Sequence, residues 1–223
     1  KNGIRLITGF AKKGTGDYLW VTDRYIVYFQ DRDSDENWQL YRLNIETMDI
    51  KNLTPCKPVK SRIVTYKRDF PCEIIISIKK ENQAIYDLYH IDITSGKTTL
   101  LARNPGNVIY WIIDSKLQIL GQVSETDDGG EELSVRENGN STWKKLFNLD
   151  KDNLLQNHII GSSKDNKYIY MIDSTNVDTS RVVKIEIATG IYDVIAQNPE
   201  YDIWDSEEFL YNPDTHEIQA VCF

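Results

Sequence analysis

Apolar and polar residues alternate in short runs along nearly the whole chain, each run bounded by Gly, Asn, Asp or Pro. Such a period-two pattern with turn residues between runs predicts β-strands. In the first third we read DYLWV, RYIVYF, NWQLYRLN and DIKNLTP as successive strands, followed by SRIVTYK, CEIIISI, IYDLYHID and KTTLLA. No amphipathic helical period interrupts them. The most apolar runs, IIISI at 74–78 and VIYWII at 108–113, are strand length and far short of the ~20 residues a membrane helix requires.

The strands repeat. LYRLNIETM from Leu40, LYHIDITSG from Leu88 and VVKIEIATG from Val182 are separated by 48 and 94 residues, one period and then two periods of 47, with a weaker copy, LSVRENG, from Leu133. A second set of strands, at Tyr25, Glu73, Leu117, Tyr168 and Glu217, is preceded each time by an aspartate: Asp23, Asp69, Asp114, Asp165 and Asp214. A short carboxylate accepts backbone N–H groups two residues on, so these aspartates are expected to close tight turns. Four strands per repeat of this length predict an all-β fold, a β-propeller built of four-stranded antiparallel blades.

IRLIT at 4–8 resembles IKNLT at 50–54, which reads as the outermost strand of a preceding blade. The stretch 201–223 offers only the inner two strands of a fifth. The expectation is one propeller domain over 1–223, with four complete blades and a partial blade at each end, cut from a larger ring of about seven blades. A five-bladed ring with a three-stranded seam is the alternative.

Charge changes this picture little. With 26 basic and 34 acidic residues the net charge is −8, and no basic stretch offers the footprint that nucleic acid or an anionic membrane surface demands, so neither is an expected partner. Cys56, Cys72 and Cys222 are odd in number and widely spaced, which predicts three buried thiols in a reducing, cytoplasmic setting. No signal-peptide pattern opens the chain, and because it starts at Lys1 the natural N-terminus is expected to be missing.

Candidate chemistry is sparse. DRDSDEN places Asp31, Asp33, Asp35 and Glu36 together, but a calcium loop needs glycine where Glu36 stands and a bidentate acid where Arg42 stands, so no metal site is expected. An acidic turn or rim is the reading, echoed by SETDDGGEEL at 124–133. His90, His158 and His216 fall in different blades without catalytic spacing. Asn52 and Asn140 match the glycosylation sequon, a pattern that chance alone can supply. Trp20, Tyr28, Tyr41 and Tyr89 alternate within strands and are expected to pack between blades. No cofactor motif and no pair of glycosidase carboxylates stands out.

Asp35-Glu36-Asn37-Trp38 with Leu40-Tyr41 and Leu53-Thr54-Pro55, then Tyr86-Asp87-Leu88-Tyr89 with Ile93, Thr94 and Gly96, then Asn104-Pro105-Gly106, resemble the propeller of prolyl oligopeptidase family serine peptidases, of the acylaminoacyl-peptidase or dipeptidyl-aminopeptidase type. Asp127 to Leu133, Asp178 to Val183, Ala188-Thr189-Gly190, Pro199 to Asp202 and Asn212 to Thr215 continue the likeness in order. Two turns depart from the family's pattern: SIKKENQAIYD replaces an Asn-x-Arg turn, and Glu46-Thr47-Met48 replaces Thr-Gly.

The resemblance implies a noncatalytic propeller that covers the active site of an α/β-hydrolase domain and filters peptides. The hydrolase's Gly-x-Ser-x-Gly elbow is not in this chain, where Gly161-Ser162-Ser163 comes nearest with the wrong spacing, so no catalytic residue is assigned. The expected partners are that hydrolase domain and a peptide. A stand-alone scaffold similar to the translocation protein TolB is the alternative, and a five-bladed glycosidase a weaker third. Strands alternate direction, so the connection from second to third strand shares an end with the link between blades. Asp31, Asp33, Asp35 and Glu36 are thus expected beside Pro55–Pro58 and Asn104–Asn107, looking toward the hydrolase domain or the incoming peptide.

Overall fold

The computed structural model describes residues 15–31, 35–55, 60–80, 82, 84–136, 142–149, 151, 154, 157–204, 209–212 and 214–223. They fall into two compact units, 1–106 and 107–223. Among the described residues there is no α-helix, and no helix is long and apolar enough to cross a membrane.

The first unit holds two antiparallel sheets. β1 (Thr15–Trp20), β2 (Tyr25–Gln30), β3 (Gln39–Asn44) and β4 (Ile50–Asn52) pair in chain order, as do β5 (Lys60–Tyr66), β6 (Glu73–Lys79), β7 (Asp87–Asp92) and β8 (Thr98–Ala102). In the second unit β9 (Val108–Ile113), β10 (Ile119–Glu125), β11 (Glu131–Val135) and β12 (Lys144–Leu149) form one sheet. β13 (His158–Ser162), β14 (Tyr168–Asp173), β15 (Arg181–Glu186) and β16 (Tyr192–Gln197) form another, and β17 (Leu210–Tyr211) pairs with β18 (Ile218–Ala220). These are the expected propeller blades, four complete and one represented by two strands. The reading of IRLIT as an outer strand lies outside the described residues.

The second strand of each complete blade is buried on both faces. Ile74, Ile75 and Ile76 of β6 are fully buried, as are Ile169 and Met171 of β14. One face of β6 joins Val27, Leu40 and Leu53 of the first blade in a common core. In the second unit Ile112, Leu120 and Leu133 pack with Ile169, Met171 and Val183. On the other face of the first blade, Tyr28 and Tyr41 stack with ring centroids 5.7 Å apart, and burial pushes the Tyr28 hydroxyl up to about 12, with Tyr41 adding to the effect. Tyr89 is buried as expected, but Trp20 is half exposed, because β1 is an edge strand with a sheet neighbour on one side alone. The thiol expectation fails for Cys222, which is exposed at the chain's end, while Cys72 is half-buried, both are free, and Cys56 lies outside the described residues.

A polar device recurs between blades. Arg42 Nη1 donates to the carbonyls of Ile93 (3.2 Å) and Thr94 (2.7 Å) in the next blade. In the second unit Lys144 Nζ donates to Ile187 O at 3.1 Å and to Ala188 O. Residues 93 and 187 differ by 94, two periods, so a cation caps the same turn twice. The turn itself repeats: Met48, Gly96 and Gly190 donate to Asn44, Asp92 and Glu186 carbonyls at 2.8, 2.7 and 2.7 Å. All three sit in the left-handed region, with φ 62°, 73° and 78°.

The five turn aspartates divide. Asp114 Oδ1 accepts the Lys116 and Gln118 N–H groups, both at 2.8 Å, and Asp165 Oδ1 accepts Lys167 N at 3.1 Å, as expected. Before β2 the acceptor is Thr22 Oγ1, which takes Arg24 N and Tyr25 N, and before β18 it is Asn212 Oδ1, which takes Asp214 N and Thr215 N. Before β6 the Phe70 N–H bonds to Lys67 O and the Glu73 N–H to Phe70 O. The turn is constant, while the residue that closes it moves.

Two stability changes follow. Met48→Gly removes a side chain from a left-handed position, a relief of ~1–2 kcal/mol against the greater unfolded freedom of glycine, and should raise unfolding stability by about 0.5–1 kcal/mol in urea titration. Asp114→Ala, which strips two backbone N–H groups and the 3.0 Å bond from Asn166 Nδ2, should cost about 1–2 kcal/mol, whereas Asp23→Ala should change stability by less than about 0.5 kcal/mol.

Candidate functional site

Loops between second and third strands leave one end of each blade, and in the first unit that end gathers the acidic stretch. Asp31 directly follows β2 and is buried at 5% exposure, so it belongs to the base of the loop and not to an exposed rim. Asp33 lies outside the described residues. Asp35 accepts Asn37 N through Oδ1 and Asn37 Nδ2 through Oδ2, each at 3.0 Å, so its carboxylate builds the turn into Trp38. Glu36 takes φ 55° and projects an exposed side chain whose Oε2 lies 3.9 Å from Lys60 Nζ.

Neighbouring segments hold this loop end in place. Ser61 donates to the Trp38 carbonyl twice, from N at 3.0 Å and from Oγ at 2.8 Å, which ties the loop to the start of the next blade. Thr54 Oγ1 accepts Leu40 N at 2.9 Å. Asn52, the first sequon residue, donates through Nδ2 to Gln39 Oε1 at 2.7 Å, so its amide serves the sheet. In the second blade Asp87, also buried, accepts Asn104 N at 2.8 Å. Ser61 and Thr54 thus tie the described ends of the link to the strand that follows the acidic stretch, while residues 32–34 and 56–59 lie outside the described residues. The arrangement can present charge to a ligand at Glu36, where two strands meet, but it brings together no nucleophile and base.

The second unit carries its own acidic turn. Asp128 Oδ1 accepts Thr126 Oγ1 at 2.5 Å and Gly130 N at 3.4 Å, and these bonds hold its carboxyl below the usual aspartate range. Glu125 and Glu131 are direct cross-strand partners. Desolvation, with Glu125 adding repulsion, holds the Glu131 carboxyl above the usual glutamate range. In the next blade Asp173 Oδ2 accepts Arg181 Nε at 2.9 Å and Nη2 at 2.8 Å, with both side chains largely buried. Sequence reasoning missed this pair, since only the Asp173–Arg181 register reveals that residues eight apart face each other. His90, read as a lone histidine, lies with Nε2 2.6 Å from Glu73 Oε2. Among the described residues no group of His, Cys, Asp and Glu has the geometry to hold a metal ion.

No protein-family profile matches the chain. Its sequence is 25% identical to the dipeptidyl aminopeptidase BIII of Pseudoxanthomonas mexicana over 218 residues, 97% of this chain and 31% of that protein. Its fold matches the dipeptidyl peptidase 4 of Porphyromonas gingivalis with TM-score 0.55 at 12% identity, covering 80% of this chain and 30% of that one. It matches TolB from Acinetobacter baumannii with TM-score 0.52 at 14% identity, covering 83% and 44%. The chain thus spans less than a third of the length of the curated relatives it matches.

The Glu125–Glu131 pair gives a pH test. A carboxyl whose folded pKa is raised carries no penalty below the unfolded pKa, where both states are protonated. As pH rises through the folded pKa the unfolded state is increasingly favoured. Glu131→Gln should therefore stabilise the chain at neutral pH and lose that advantage at pH below the ordinary glutamate range, read by urea titration at the two pH values.

Proposed function

We propose that this chain, whose sequence and fold are those of a prolyl oligopeptidase-family propeller, is the noncatalytic part of a serine peptidase that covers the active site and filters peptide substrates. The observation that supports it most is the match to a dipeptidyl aminopeptidase along 97% of the chain, in a sequence that carries blades and no nucleophile elbow. The catalytic partner is an α/β-hydrolase domain of the same protein, and the working compartment is the cytoplasm. Within each unit, packed sheets with loops at their ends suit this role, because loops on a fixed scaffold can meet a ligand without moving the frame.

Within this reading the loop 31–38 faces the peptide. Asp35 and Glu36, with Asp33 between them and the buried Asp31, supply negative charge that attracts a cationic N-terminus. The TolB likeness favours a second reading, a scaffold that binds other proteins and belongs to no hydrolase.

Kinetics of the parent protein separate the two. Asp33→Ala combined with Asp35→Ala should raise KM for cationic peptides about threefold, the scale of one exposed charge interaction, and leave kcat near its original value. The rise should shrink as added salt shortens the screening length to about 10 Å and below. A parent protein with no peptidase activity would overturn the first reading, and an unchanged KM at low salt would remove the acidic loop from it.

A further inference from the structure

The second blade carries a cluster of cations that the acidic balance of the chain does not announce. Arg62 on β5 is exposed, yet its guanidinium is held: Nε donates to Ser77 Oγ at 3.0 Å and the group lies 4.3 Å from the centroid of the Tyr86 ring. Lys79 Nζ lies 4.6 Å from the centroid of that same ring. Lys60 and Lys79 are direct cross-strand partners, and Lys80 Nζ is 5.9 Å from the Tyr89 ring. Among the described residues no carboxylate pairs with Arg62, Lys79 or Lys80, and Lys60 has only the 3.9 Å contact with Glu36.

Like charges placed directly opposite on a ladder are destabilising, and a shared aromatic face compensates only in part. In a chain of net charge −8, an arginine and a lysine that share one ring and have no counter-ion among the described residues are a specific arrangement. Arginine's planar fork matches a carboxylate with two parallel N–H bonds, and it does so best when its torsions are already fixed. Here Ser77 occupies Nε and Tyr86 covers one flat side, while Nη1 and Nη2 remain as donors and Lys79 lies against the same ring. Arg62 also follows Ser61, whose two bonds to the Trp38 carbonyl fix it beside the acidic loop.

We propose that Arg62, supported by Ser77, Tyr86 and Lys79, is a binding site for the carboxylate of a peptide, either its free C-terminus or an acidic side chain. This rests on the peptide-filtering reading above and adds a second charged anchor to it. With Glu36 attracting an amino group and Arg62 a carboxylate, the end of this unit would favour short peptides that carry both charges.

Calorimetric titration of this chain at low ionic strength tests it with three probes: trialanine, trialanine amide, and N-acetyl-Ala-Glu-Ala amide. Trialanine should bind about tenfold more tightly than its amide, the scale of one charge-assisted bond pair. If the glutamate peptide matches trialanine, side-chain carboxylates are also taken. If it binds as the amide does, the site is specific for a C-terminus. Arg62→Gln should abolish the preference and Lys79→Gln should reduce it several-fold. Arg62→Lys, which keeps the charge and the packing stem, should lose most of it, and thermal unfolding of each variant confirms that it folds. Equal binding of trialanine and its amide, or a preference that survives Arg62→Gln in folded protein, overturns the proposal. In either event the KM test on Asp33 and Asp35 in the parent protein stands independently.

Discussion

Double-sided burial of the second strand in each complete blade governs the rest of this structure. In β6, Ile74, Ile75, Ile76 and Ile78 point to alternate faces and all are buried, so the strand has no side that water can cover. Burying each such side chain is worth ~1.5–3 kcal/mol, together of order 10 kcal/mol for this strand, as large as the whole stability of an ordinary domain. A blade alone would forfeit about half of that. Stacking on a neighbour is therefore obligatory, and a sequence that repeats the strand must repeat the neighbour too.

The cations that cross between sheets follow from the same constraint. Once two sheets are pressed together, the carbonyls of the turn after β7 and β15 lie against the adjacent blade with no ladder partner of their own. Arg42 and Lys144 satisfy them from that blade. The apolar faces set the spacing, and the polar contacts set the register in which the faces meet. An inserted residue in a strand would move both at once.

Those end loops are where sequence reading lost resolution. Alternation and the period of 47 made strands, sheets and blade order legible, because both depend only on which residues are apolar and how far apart they stand. Which side chain closes a turn is a different matter: Thr22, Asp114, Asp165 and Asn212 each close the turn before a blade's second strand or its two-stranded counterpart, since any short oxygen acceptor two to four residues before the donor suffices. Burial of Asp31 and exposure of Trp20 depend on what covers each position in three dimensions, and composition is silent on that. The Asp173–Arg181 and Arg62–Tyr86 pairs rest on strand register and loop path, and neither leaves a motif in the sequence.

In the proposed reading, opposite charges at Glu36 and Arg62 would have a physical consequence beyond affinity. Exposed charges such as Glu36 contribute little binding energy in water, and salt screens them within about 8–10 Å. What they can do at that scale is orient. A ligand with opposite charges at its ends meets a favourable potential in one direction and a repulsive one in the other, so the wrong orientation costs more than the right one gains. A single anchor cannot make that distinction for a flexible chain. Two anchors on one frame could, and in the proposed reading the spacing between them would then select for ligand length. In a filter for peptides, length would thus be read by the strands that never touch the substrate.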